Sequence, residues 1–300
     1  MNSPPPALSK FKKRVSWEDI DKSHLLAHLE LCVQEDLSNT GDLTSDRCQI
    51  SGNGVAELVT REEMIICGLS LIPIIFQVFE VKSLEVENLV DEGVLTPNGT
   101  TIAKLSGKQS DILKIERTVL NFIQRLSGIA TSSNLYAAIL SEDDVHLLDT
   151  RKTTPGIRSL EKFASACGGS YNHRMGLFDR ILIKDNHLAA SNIVTDNQLH
   201  NFLIQIKKKS TNDIVQVEID SIEYLEISIN AGVDAILLDN FSPDDVKRAV
   251  LLNKNRVVIE ASGGISLQSL KKYARAQPHF VSTGAPIHRS RWMDIGLDWK

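Results

Sequence analysis

Residues 215–264 read VQVEIDSIEYLEISINAGVDAILLDNFSPDDVKRAVLLNKNRVVIEASGG. Three apolar runs stand out: Val215–Asp220, Ala235–Asn240 and Val257–Gly264. Each ends in polar or small residues, and the stretches Ser221–Gly232 and Ser242–Leu252 between them carry helical patterning. Strand, helix and strand in repeated order predict a parallel sheet. Runs that are apolar on nearly every residue fit strands covered on both faces. The same unit recurs on either side, in HLLDTRK (146–152), RILIKDN (180–186) and FVSTGA (280–285), with NQLHNFLIQIKKK (197–209) as a further helix. Polar residues at the carboxyl end of each strand are the pattern of an α/β barrel, whose chemistry sits at that rim. The strands number about six, so the expected fold is α/β with an open, TIM-like barrel.

Upstream the pattern differs. Leu25, Leu26, Leu29 and Val33 recur at helical spacing, and EDLSNTGDLTS (35–45) then reads as a loop. GVAELVTREEMIICG (54–68) alternates like a strand pair, and turns at Asp91-Glu92-Gly93 and Pro97-Asn98-Gly99 separate short β-prone runs. The first hundred or so residues are therefore expected to form a small α+β layer. Residues 110–140 read as helix, with Ser110 and Asp111 able to cap it and Ser127-Gly128 expected to kink or end it. The expected domains are a disordered tail over 1–18, an amino-terminal sandwich over 19–115 joined by 288–300, and a barrel over 116–287.

A net charge of -5 argues against a general nucleic-acid or membrane-surface binder, both of which need broad positive surfaces. The most apolar window, Met64–Phe79, is broken by Gly68 and Pro73 and reads as a strand end followed by a buried helix. The four cysteines form no C-x-x-C pair, and free thiols in the cytoplasm are the expectation. The amino terminus, Pro-rich and basic, lacks the apolar core of a secretory signal.

Against the acidic total, Thr150–His187 gathers Arg151, Lys152, Arg158, Lys162, Arg174, Arg180 and Lys184. Arg151-Lys152 and Lys184 follow strands, so both should reach one rim, with His173-Arg174 in the loop between them. Arginine's fork suits carboxylate and phosphate, and lysine supplies a compact charge. Arg158 and Lys162 are expected on the outer face of a helix, and Arg180 on a solvated surface. Glu218 and Asp239 end successive strands and should be rim neighbours, with Asp220 just past its strand. Such carboxylates could bind Mg²⁺, hold sugar hydroxyls or stabilise a cationic transition state. Gly263-Gly264 and Gly284 follow the last two strands, where barrels often hold phosphate. No serine or cysteine nucleophile with a base stands out. The sum predicts an anion pocket for a substrate bearing carboxylates and phosphates that reacts by displacement at a sugar carbon.

ERTVLNFIQRLSGIAT (116–131), DTRKTTPGIR (149–158), GGSYNHRMGLFDRILIKDNH (168–187), LLDN (237–240) and EASGGI (260–265) closely resemble the quinolinate phosphoribosyltransferase family. EDLSNTGDLTS also resembles that family's early acidic loop. The resemblance implies conversion of quinolinate and phosphoribosyl pyrophosphate to nicotinate mononucleotide, pyrophosphate and CO2, with Mg²⁺, in NAD biosynthesis. It implies the type II phosphoribosyltransferase fold, a sandwich plus an open barrel, with the site shared across a homodimer or higher homo-oligomer. Arg151, His173, Arg174, Lys184 and Lys152, with Thr150, would surround the quinolinate carboxylates and pyrophosphate, Lys152 and Lys184 having catalytic roles. Arg117 would come from the neighbouring subunit. Glu218 and Asp239 would face ribose and metal, and Ser262, Gly263, Gly264 and Gly284 would hold the 5′-phosphate. STGAPIHRS departs from the family in carrying Pro286 where an apolar residue such as leucine is expected. Other readings of the same residues are a relative associated with molybdate transport, a non-catalytic phosphosugar-binding barrel, and nicotinate as substrate.

Overall fold

The computed structural model describes residues 3–300, which divide into two compact units. The first comprises residues 15–134, 153–169 and 286–300. Its centre is an antiparallel sheet in the order β12-β1-β5-β3. These strands are β1 (Asn53–Thr60), β3 (Glu85–Asn88), β5 (Thr101–Lys108) and β12 (Ile295–Trp299). β2 (Met64–Ile65) pairs with β4 (Leu95–Thr96), so the two expected halves of a strand pair, β1 and β2, lie in different sheets. Cys67 to Val78 then form a turn and helix that bury Leu69, Leu71, Ile72, Ile75 and Phe76, as the apolar window predicted.

The helix Gln109–Ser141 runs on without a break at Gly128. A Cβ at Gly128 would stand 2.0 Å from the Arg291 carbonyl oxygen, so this glycine admits a neighbouring backbone and ends nothing. Ser127 exchanges hydrogen bonds with the backbone of Cys67, its hydroxyl accepting at 3.0 Å and donating at 3.2 Å. The helix Arg158–Cys167 also belongs to this unit. Lys162, expected outside, is wholly buried there, and Arg158 is half-buried with its Nε donating to Thr153 Oγ1 at 3.0 Å. Every residue from Leu160 to Ser165 is buried, so the helix has little outward face in this stretch.

The second unit comprises residues 135–152 and 170–285 together with the chain start up to Arg14. Its six strands are parallel, in the order β6-β11-β10-β9-β8-β7. They are β6 (His146–Leu148), β7 (Ile181–Ile183), β8 (Val215–Ile219), β9 (Ala235–Asp239), β10 (Val258–Ser262) and β11 (Phe280–Ser282). Both end strands, β6 and β7, have one neighbour, which makes this the open barrel that the strand repeats predicted. Side chains alternate along each strand. Val215, Val217, Ile236, Leu238, Ile259 and Val281 share a cluster with helix residues such as Leu203, Leu225 and Val246. Ala235, Val258 and Phe280, of opposite parity, form a separate apolar cluster with Leu148, Ala7 and Phe11.

That cluster changes the reading of the chain start. The helix Leu8–Phe11 is part of the barrel unit, and Phe11 has no exposed surface. The tail expected over 1–18 is thus ordered structure where described, and Met1 and Asn2 lie outside the described residues. Proline and lysine dominate this segment's composition, but two apolar anchors in it suffice to seat it. No helix among the described residues is long and apolar enough to cross a membrane.

Candidate active site

The same alternation builds the site. Leu182 and Lys184 share a face, as do Gln216 and Glu218, then Leu237 and Asp239, then Glu260 and Ser262. Except for Gln216, these residues line one cavity of about 280 Å³ with Thr150, Arg151, Lys152, His173, Arg174, Gly263 and Ser282. A second hollow of about 490 Å³ shares Glu218 and Asp239 and includes Asp220. The two rim carboxylates therefore stand between a cation-rich space and a second space.

Individual contacts fix the cations. Lys184 Nζ donates to Glu218 Oε2 at 2.6 Å. Thr150 Oγ1 accepts from the Lys152 backbone N–H at 3.0 Å. Arg151 Nε is buried without a hydrogen-bond partner among the described residues. Asp149, buried, accepts from Asn172 Nδ2 at 2.6 Å and from the His173 N–H at 2.7 Å, which sets the loop carrying His173 and Arg174. His173 Nδ1 accepts from the Arg174 N–H at 2.8 Å, so a neutral ring carries its proton on Nε2. That nitrogen lies 3.5 Å from Glu260 Oε1. Arg174 is 7% exposed, and burial, followed by the like charge of Arg151, pulls its guanidinium below the usual range. Burial likewise pushes the Glu260 carboxyl above the usual carboxylate range, while the hydrogen bond from Gln216 Nε2 at 2.8 Å pulls the other way.

Of the residues singled out in the sequence, Thr150, Arg151, Lys152, His173, Arg174, Lys184, Glu218, Asp239, Ser262 and Gly263 meet in the first cavity. Gly264 and Gly284 do not line it. Gly263 has φ +93°, and a Cβ there would lie 2.6 Å from the Asn240 backbone nitrogen, so only glycine fits this turn. Pro286 sits in the first turn of the helix Ala285–His288, where its missing N–H leaves no bond unmade. Arg117 lies in the other unit, exposed on the helix Gln109–Ser141. Arg180, expected on a solvated surface, is half-buried with its Nε enclosed. Sequence reasoning missed Glu260 and Asp149. The signal for Glu260 was present: an acid in the middle of an otherwise apolar strand.

An open parallel barrel with a cation-lined rim cavity and a carboxylate pair suits an enzyme for anionic substrates, as the type II phosphoribosyltransferase class implied by the sequence motifs requires. The family profile for the quinolinate phosphoribosyl transferase C-terminal domain matches residues 129–298, and that for its N-terminal domain matches residues 42–127. The chain belongs to the quinolinate phosphoribosyltransferase family. It is 38% identical over 279 residues to a probable nicotinate-nucleotide pyrophosphorylase [carboxylating] of Bacillus subtilis, covering 91% of this chain and 92% of that one. With the nicotinate-nucleotide pyrophosphorylase [carboxylating] of Mycobacterium leprae it shares 34% over 271 residues, or 89% and 94% of the two chains. The solved nicotinate-nucleotide pyrophosphorylase of Francisella tularensis superposes with a TM-score of 0.88 at 34% identity, covering 94% and 98% of the chains.

Proposed function

We propose that this protein transfers the phosphoribosyl group of phosphoribosyl pyrophosphate to quinolinate, releasing pyrophosphate and CO2 and giving nicotinate mononucleotide for NAD biosynthesis. The observation that carries the reading is the cavity in which Arg151, Lys152, Arg174 and Lys184 meet Glu218 and Asp239. Family membership supports the same reaction. Quinolinate brings two carboxylates, and the buried donors of Arg151 and Arg174, with Lys184 and His173, suit them. Nicotinate, with one carboxylate, would leave part of that set unpaired. A non-catalytic sugar-phosphate binder would have no use for so many cations beside a carboxylate pair, and the relatives described above carry names of the pyrophosphorylase reaction rather than of molybdate transport.

As the bond from ribose C1 to pyrophosphate breaks, positive charge grows at C1, and Glu218 and Asp239 are suited to stabilise it. Lys152 and Lys184 are suited to the leaving group's negative charge. The pyridine nitrogen then forms the new bond to C1, and its positive charge favours loss of the adjacent carboxylate as CO2. Ser262 ends β10, and Gly263, Gly264 and Gly284 follow β10 and β11, the strand ends where a barrel holds phosphate. Glu218 and Asp239 are oxygen ligands of the kind Mg²⁺ takes alongside substrate phosphates, so the residues fit that ion. When bound, it would neutralise pyrophosphate charge.

The family resemblance gives Arg117 to the neighbouring subunit's site in a homodimer or higher homo-oligomer, and its exposed position leaves it available for that role. The cytoplasm is the compartment we infer, since the four cysteines are free thiols. The deciding assay supplies purified protein with quinolinate, phosphoribosyl pyrophosphate and Mg²⁺ and scores nicotinate mononucleotide. Absence of product, or equal use of nicotinate, refutes the proposal.

A further inference from the structure

The chain start is linked to the residues of the anion pocket by two routes. The first runs through the barrel interior. Phe11 stacks on Phe280 with ring centroids 5.7 Å apart, and the Arg180 guanidinium lies 3.9 Å above the Phe11 ring centroid. Arg180 Nε is buried and has no hydrogen bond among the described residues, so the ring face is what meets this part of the cation. Arg180 Nη1 donates to Gln216 Oε1 at 3.4 Å, and Gln216 Nε2 donates to Glu260 Oε2 at 2.8 Å. The other Glu260 oxygen faces His173 Nε2 at 3.5 Å. The Arg180 backbone has φ +71°, a left-handed conformation costly for arginine, and its carbonyl accepts from Arg174 Nη1 at 3.2 Å.

The second route runs along the open edge of β6. Residues Ser170–Asn172 lie beside that strand, with Leu148 and Tyr171 forming a parallel bridge. Lys13 O accepts from the Asn172 N–H at 2.8 Å. Arg14 Nε donates to Ser170 O at 3.2 Å, and its guanidinium lies 4.4 Å above the Tyr171 ring centroid. Asn172 in turn bonds Asp149, which holds the His173 N–H.

We propose that the segment Ala7–Arg14 is a positioning element of the active site: Phe11 seats Arg180, Lys13 and Arg14 hold Ser170–Asn172, and together they set His173 and Arg174 for the substrate's carboxylates. Phe11 and Arg14 touch no substrate and are positioning residues. This assignment rests on the reading of the pocket as a quinolinate site.

The test compares Phe11→Ala, Phe11→Leu and Arg14→Ala with the wild-type enzyme. Phe11→Ala raises the quinolinate KM about tenfold, the scale of a desolvated cation–π contact, and leaves the phosphoribosyl pyrophosphate KM within about twofold. Phe11→Leu, which refills most of the volume, recovers about half of that loss on a logarithmic scale. Arg14→Ala, an exposed change that spares the core, raises the quinolinate KM about threefold. Because both residues act through the same loop, Phe11→Ala adds less than about twofold when combined with Arg174→Ala. Hydrogen exchange of the Ser170–Arg174 amides, measured without any substrate, quickens in Phe11→Ala and Arg14→Ala. Unchanged exchange and an unchanged quinolinate KM in folded variants overturn the inference, as do equal rises in both KM values or full additivity with Arg174→Ala. A wild-type protein that ignores quinolinate while the exchange effect persists would instead sink the substrate assignment.

Discussion

Replacing Arg174 by alanine tests the pocket most directly. Its side chain is 7% exposed, and Nη1 is committed to the Arg180 carbonyl, which leaves the rest of the guanidinium fork for the cavity it lines. A hydrogen bond between a buried cation and a carboxylate contributes about 1.5–3 kcal/mol, so its loss raises the quinolinate KM between about tenfold and about a hundredfold. The truncation also strips the Arg180 carbonyl of a donor, which costs about 1–3 kcal/mol of stability if water does not replace it. The two effects separate by measuring urea unfolding alongside initial rates with each substrate varied in turn. Arg174→Lys restores charge without the planar fork and falls between the two. A quinolinate KM within twofold of wild type, or an equal rise for phosphoribosyl pyrophosphate, would show that Arg174 is not a carboxylate ligand.

Glu161 is fully buried, pairs with Arg125 at 2.7 Å and also accepts from the Thr154 N–H and hydroxyl; Glu161→Ala therefore costs about 3–5 kcal/mol in denaturant unfolding, and a loss below 1 kcal/mol would refute the pairing. For Glu260 the folded carboxyl titrates above its unfolded value, so its contribution to stability is present at low pH and is lost as pH rises through the folded value. Glu260→Gln should flatten the wild-type decline above about pH 4.5 by up to about 1.4 kcal/mol per pH unit, and parallel pH curves would contradict this. Subunits carrying Arg117→Ala, each inactive alone, regain about a quarter of wild-type activity when mixed with Lys184→Ala subunits if sites are shared in dimers. Mixed dimers that form and stay inactive exclude sharing.

The strand ends were legible because a covered parallel strand announces itself by an apolar run, and the first polar residues after it must stand at the rim. This rule located Arg151, Lys184, Glu218, Asp239 and Ser262 together. It could not see along the barrel axis, where period-two alternation separates Glu260 from its neighbours Ile259 and Ala261. Composition misled at three other places. Proline and lysine around Phe11 suggested disorder, although one aromatic residue that fills the barrel interior contributes about 2 kcal/mol and fixes the segment. Lys162 looked exposed because lysine usually is, yet its helix buries its neighbours on both sides. Gly128 suggested a break because glycine weakens helices, whereas the close carbonyl of Arg291 requires it.

The interior of the barrel also explains how an acidic protein keeps a cationic pocket. At physiological salt, charges more than about 8 Å apart in solvent scarcely interact, so the net -5 spread over the surface does not cancel cations grouped at the rim. Inside, the floor is apolar, with Phe11, Ala235, Val258 and Phe280, and polarity rises through Gln216 and Glu260 to Lys184 and Asp239. Low-dielectric walls strengthen every interaction above them, attractive and repulsive alike. Burial, and after it the like charge of Arg151, pulls the Arg174 guanidinium below its usual range, so grouping these two cations costs the protein while the pocket holds no anion. Glu218 relieves Lys184, but nothing equivalent reaches Arg151 Nε. A dianionic ring entering the cavity offsets that cost with its own negative charge. A monocarboxylate, which brings half the negative charge, offsets less of it, so nicotinate is expected to bind more weakly than quinolinate even where its ring fits equally well, as the KM of each substrate analogue would show.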